Sequence, residues 1–132
     1  DAAATDLRRI GITGGTIGLM GTAATLAMKL YQDRLGAQGW DIIEPEPTQM
    51  ERLVTPAIAS VKANRVSEAY QPLAEVVNSL ASRGATAVVL GCTEIPLGIQ
   101  AGPAQGLRVP VVDTIDALAR AAIAWARPGT VG

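Results

Sequence analysis

Short apolar runs alternate along the chain with longer segments whose apolar positions recur at helical spacing. TIGLMG (16 to 21) and TAVVLG (86 to 91) are apolar at successive positions, so both faces of each are buried, as in the central strands of a parallel sheet. WDII (40 to 43) and VPVV (109 to 112) are shorter and weaker and belong nearer the edges. Between them, Leu26, Ala27 and Leu30 fall on one face of a helix from about Ala23 to Ala37, which Gly36 or Gly39 can end. Thr55 and Pro56 read as N-cap and first residue of a short helix through Ile58 and Val61 to about Asn64. Ser67 can cap the next helix, where Leu73, Val76, Val77 and Leu80 form an apolar stripe that Gly84 terminates. Asp113 can cap the last, with Ile115, Leu118, Ala122 and Trp125 on one face and Pro128 with Gly129 closing it. The segment IQAGPAQGLR (99 to 108) reads as a surface loop.

Strands alternating with helices predict βα units on a parallel sheet, and 132 residues at 48% hydrophobic composition suffice for one domain with its own core. With 11 basic and 12 acidic residues the net charge is −1, which gives no footprint for nucleic acid or an anionic membrane surface. No apolar run reaches membrane-spanning length, and the start DAAATDLRRI lacks the order of a signal peptide. The single cysteine makes no intrachain disulfide and no multi-cysteine metal site, so a cytoplasmic setting is expected. Histidine is absent, which removes Ser-His and Cys-His dyads and imidazole metal sites from this chain. The chain begins without methionine inside a helical pattern, and is therefore expected to be a piece of something longer.

The glycines of GITGGTIGLMGT match neither G-x-G-x-x-G nor a phosphate loop, and Gly14 with Gly15 precedes the strand that such a loop should follow. Ligands of open parallel sheets bind outside the carboxyl ends of the strands, where two polar loops stand: GTAAT (21 to 25) and GCTE (91 to 94). Thr22 and Thr25 put hydroxyls at a helix start, where free N–H groups favour a carboxylate or phosphate, or where either threonine simply caps the helix. Cys92 follows the apolar run Val88, Val89 and Leu90. It is either a small buried hydrophobe or a thiol at a helix N-terminus, where the pKa can fall from about 8.5 to about 3.5–7.5. Lys62 and Arg65 are either solvated cations near a helix C-terminus or holders of an acidic substrate.

The order TIGLMGTAATL, LYQDRLGAQGWDIIEP, RGATAVVLGCTEIPL and VPVVDTIDALARAA resembles the C-terminal half of the aspartate/glutamate racemase superfamily over nearly the whole chain. GCTEIPL is its most specific part, and Glu94, where glutamate racemases tend to carry histidine, tilts it toward aspartate-type or broad-specificity members. The resemblance implies a flavodoxin-like α/β domain, a four-stranded parallel sheet in the order 2-1-3-4 with flanking helices, one of two similar domains facing across a cleft. It implies an isomerase that racemises an acidic amino acid with neither pyridoxal phosphate nor metal. One cysteine removes the α-proton as thiolate while a second, from the other domain, returns a proton as thiol. Cys92 matches the C-terminal cysteine of that pair, Thr93 and Glu94 complete its motif at the α-carboxylate, Thr22 and Thr25 match cleft-lining threonines, and Lys62 lies where several members carry a cation for the distal carboxylate. The first half, with its own cysteine, is not in these residues, so the two-base site is not completed within this chain. The expected partners are therefore a small acidic substrate and the missing N-terminal domain. Family members are often dimers, but the exposed pattern here fixes no homodimer interface. Hydantoin racemases, maleate isomerases and arylmalonate decarboxylases share the frame and stand as alternatives, beside a non-catalytic small-molecule binding domain with Cys92 as packing.

Overall fold

The computed structural model describes residues 2–126, with side chains to residue 123. Strands β1 (Gly15–Met20), β2 (Trp40–Ile43), β3 (Ala87–Leu90) and β4 (Val111–Asp113) form one sheet in the order β2-β1-β3-β4, with every pairing parallel. The flanking helices are α1 (Ala2–Arg9), α2 (Ala23–Ala27), α3 (Leu30–Ala37), α4 (Pro47–Gln49), α5 (Thr55–Lys62), α6 (Tyr70–Ser82), α7 (Glu94–Gln100) and α8 (Thr114–Ala126). Among the described residues, no helix is long and apolar enough to cross a membrane.

The central strands are buried on both faces, and their alternation sorts side chains into two cores. Met20, Val88 and Leu90 pack with Val61, Leu73, Val76, Val77, Leu80 and Ile95 from α5, α6 and α7. Ile17, Leu19, Ala87, Val89 and Val112 pack on the other face with Leu7, Leu26, Leu35, Trp40 and Ala117. This three-layer arrangement is the expected flavodoxin-like sheet in its expected order.

Several element boundaries differ from the expected ones, each for a local reason. The helix expected from Ala23 to Ala37 is broken at Met28 and Lys29, where Lys29 is left-handed (φ 61°). Gln32 Nε2 pins the joint, donating to the Leu26 carbonyl at 3.0 Å and to Glu44 Oε2 at 3.0 Å. Thr55 is no N-cap: it is helical (φ −61°, ψ −45°) in a run that starts at Pro47, and its N–H reaches the Met50 carbonyl to close a π-turn over Met50–Val54. Pro56 accounts for the wide turn, because its ring crowds the carbonyl four residues back and it has no N–H to offer.

Ser67 lies inside a 3-10 turn (Val66–Glu68) that leads into α6, whose N-cap is the helical Ala69. β4 begins after Pro110, which lacks the N–H for the ladder, although its carbonyl still accepts from Val88 N at 3.0 Å. The segment 99 to 108 is no mere loop. It begins as the end of α7, includes a 3-10 turn (Ala104–Gly106), and is tied to α6 by Tyr70 Oη donating to the Pro103 carbonyl and Asn78 Nδ2 donating to the Gly106 carbonyl.

Asp113 caps α8 as expected, Oδ1 accepting from Ile115 N at 2.9 Å. The apolar face of α8 is instead turned outward: Ile115 and Leu118 are 49% and 64% exposed, Ala122 is exposed, and Ala117 is the buried contact. Small residues let α8 lie close to α1, where the buried Asp6 carboxylate accepts from Arg120 and Arg9. Trp125, by its side chain, and Pro128 with Gly129 fall outside the described residues.

Candidate active site

β1 and β3 are adjacent, so the two polar loops of the sequence emerge side by side at the carboxyl end of the sheet. Gly91 N donates to the Met20 carbonyl at 2.7 Å, which extends the ladder one step past β3 and delivers Cys92 beside the start of α2. A side chain at Gly91 would be crowded. A Cβ would stand 3.3 Å from the Met20 carbonyl oxygen, 3.3 Å from Tyr31 Cε2 and 3.6 Å from Thr25 Cγ2. Cys92, Thr22, Thr25 and Glu94 are all partly exposed and Thr93 is exposed, so the groups remain open to a ligand.

Thr22 is extended (φ −69°, ψ 161°) and caps α2, its Oγ1 accepting from Thr25 N at 3.1 Å. The same Oγ1 donates its proton to Thr25 Oγ1 at 2.9 Å. The capping reading is therefore correct for Thr22, and the Thr25 hydroxyl hydrogen is what the pair has left to offer a ligand.

Cys92 stands just before α7, close enough for the backbone N–H groups of Ile95 and Glu94 to favour its thiolate. A depressed thiol pKa at such a helix start is one of the two readings that the sequence leaves open. The structure goes against that reading: burial pushes the thiol up from its ordinary value, the two N–H groups pull it partly back, and the nearby Glu94 carboxylate pushes it further up. The helix start is thus present but outweighed, and Cys92 rests as a neutral thiol. Glu94 is held below the usual carboxylate range, chiefly by Thr93 Oγ1, which donates to Glu94 Oε2 at 2.8 Å, with Lys62 adding a favourable charge. Glu94 is therefore an anion at neutral pH and can accept the thiol's hydrogen bond.

Lys62, at the last turn of α5, is near enough to favour the Glu94 anion by its charge, without a close ion pair among the described residues. Arg65 is paired instead with Glu68 at 3.0 Å on the surface. Among the described residues no three metal-ligating side chains converge. A concavity of about 160 Å³ between α1, α7 and α8, lined by Asp6, Asp113 and Arg120 among others, does not include Cys92. Tyr31 went unnoticed in the sequence: it follows the break after α2 by two residues, and only the fold shows that this break turns its ring onto Gly91.

Comparison with known proteins agrees with this geometry. The family model described as Asp/Glu/Hydantoin racemase matches residues 1–122. An uncharacterised protein from the pnlA 3′ region of Pectobacterium carotovorum subsp. carotovorum is 30% identical over 112 residues, covering 83% of this chain and 71% of that protein. The crystal structure of a provisionally assigned Asp/Glu racemase from Yersinia pestis is similar at TM-score 0.73 and 30% identity over 96% of this chain. That of an aspartate racemase homologue from Pyrococcus horikoshii is similar at TM-score 0.79 and 25% identity, also over 96% of this chain. This chain spans 54% of the length of each of those two solved chains. By its fold, its strand-end GCTE motif and a match over nearly its whole length, the chain belongs to the Asp/Glu/Hydantoin racemase family.

Proposed function

We propose that this chain supplies one half of a cofactor-independent racemase site for an acidic amino acid, with Cys92 as one of two proton-transferring thiols. The observation that carries the reading is the arrangement of Cys92. A thiol just past β3 stands at the start of α7 under the influence of its first N–H groups and of the Glu94 carboxylate, and it follows Gly91, where a Cβ would stand 3.6 Å from Thr25 Cγ2. As a neutral thiol, Cys92 is set to return a proton to the α-carbon. For the reverse direction it must first lose that proton, and the N–H groups of Ile95 and Glu94 then stabilise the thiolate.

Removing an α-proton builds negative charge on the substrate carboxylate, so donors aimed at that carboxylate lower the barrier. Thr25 is the hydroxyl available for it, because the proton of Thr22 goes to Thr25 and that of Thr93 goes to Glu94. In this reading the backbone N–H of Thr93 holds the α-carboxylate and Lys62 meets the distal one. The second thiol comes from another α/β unit, the N-terminal domain that the family resemblance implies. Two facts support this: this chain spans 54% of the length of its solved relatives, and α8 presents Ile115, Leu118 and Ile123 outward as a surface for a covering partner.

Protection of Cys92 from alkylation tests the substrate assignment. L-aspartate or L-glutamate should slow iodoacetamide several-fold while L-alanine does not. Protection by a hydantoin or an arylmalonate instead would move the reading to those relatives, and protection by none of them would contradict a substrate site at Cys92.

A further inference from the structure

We propose that Tyr31 is a positioning residue for Cys92, its ring acting as the wall that holds the Gly91–Cys92 turn against the end of β1. The inference rests on the reading of Cys92 as the reacting group and adds a residue to that site.

Three contacts meet at Gly91, one from each element around it. The carbonyl of Met20 accepts its N–H at 2.7 Å, the methyl of Thr25 lies beside it, and Cε2 of Tyr31 lies 3.3 Å from where a side chain would begin. The first is a backbone group of a central strand, and the second belongs to a capped helix, so both are fixed. Tyr31 is the remaining side, and the chain fixes its approach as well. The left-handed Lys29 ends α2 and redirects the backbone into α3, and Gln32, next to Tyr31, ties that joint to Leu26 and Glu44. Tyr31 is half-buried and packs into the core formed by Leu19, Leu26 and Leu35. A side chain so held leaves the peptide before Cys92 one place to be.

The consequence for the thiol follows from position. Cys92 keeps its two N–H donors only while the turn holds its sulfur over the first turn of α7. It is shielded from water only while the same turn stays closed. Glu94 on α7 is the charged group acting on Cys92, and Lys62 on α5 acts on Glu94. Both stand on elements other than α3, which carries Tyr31. Loss of the ring opens the turn to solvent, and burial is the largest influence on this thiol. Its pKa therefore falls toward the ordinary value, and it alkylates faster at neutral pH.

The test is the rate of iodoacetamide alkylation of Cys92 from about pH 6 to about pH 10 in the chain and its variants, beside a thermal melt of each. Tyr31→Phe keeps the ring and should leave the profile within about twofold, whereas Tyr31→Ala should lower the midpoint and raise the rate near neutral pH about fivefold. If Tyr31→Ala does not fold, Tyr31→Leu carries the test, with the same direction and a smaller change. A midpoint unchanged in every folded variant overturns the proposal, as does a Phe variant that behaves like Ala. The assay reads only the thiol. Failure of the racemase reading would appear as loss of substrate protection with this ring effect intact.

Discussion

Thr22 and Thr25 carry the same hydroxyl, yet their hydrogen bonds divide the work. Thr22 accepts from Thr25 N and satisfies a helix start, so Thr22→Ala should lower stability by about 1 kcal/mol, read from a urea melt. Thr25→Val removes the spare donor together with the acceptor for Thr22, so it should cost about 1 kcal/mol in the melt and abolish protection of Cys92 by L-aspartate. At Cys92 burial raises the thiol pKa most, and Glu94 raises it further. Its carboxylate, through charge and hydrogen bond, favours the proton staying on sulfur. Glu94→Gln removes that charge, so the thiol pKa should fall and alkylation near neutral pH should rise. A rate that drops on this substitution would show that Glu94 is drawing the proton off rather than holding it.

At the scale of elements, packing decides against propensity. Gly98 lies inside α7 where a Cβ would stand 2.6 Å from Leu73 Cδ1 and 2.9 Å from Ala69 Cβ, both buried. Alanine gains up to about 1 kcal/mol of helix propensity and loses roughly 1–3 kcal/mol to overpacking, so Gly98→Ala should destabilise in a denaturant melt. The α1–α8 contact turns on Asp6, whose carboxyl is held low mainly by Arg120, and next by Arg9, against its burial. A lowered folded-state pKa gives stability that is complete above the unfolded value, near 3.8, and is lost as pH falls through the folded one. Both arginines are about half exposed, so Asp6→Asn should cost only about 1 to 2 kcal/mol at neutral pH. That difference should narrow as the melts are taken below about pH 4.

For the whole molecule, what could be read in advance was what repeats. Continuous apolar runs located the central strands, helical spacing located the stripe of α6, and the parallel arrangement followed from their alternation. GCTE was legible because its residue types are unusual together. Single residues acting through space were not legible. The ring of Tyr31 on Gly91 and the outward turn of Ile115 and Leu118 depend on the assembled fold, whereas the break at Lys29 and the π-turn before Pro56 are local backbone choices that apolar periodicity does not register. The thiol pKa went the other way for the same reason: local sequence shows the helix start, while burial is a property of the assembled fold.

One consequence of a single cysteine is specific to the proposed role. A lone base can remove an α-proton and return a solvent deuteron on the same face, but it cannot invert the centre. The direct test is proton NMR of L-aspartate and L-glutamate in D₂O with this chain, with chirality of the recovered amino acid read in parallel. The account predicts loss of the α-proton signal with retained configuration, and no loss with Cys92→Ser. Exchange that survives Cys92→Ser, full racemisation by this chain alone, or no exchange of either amino acid would contradict it.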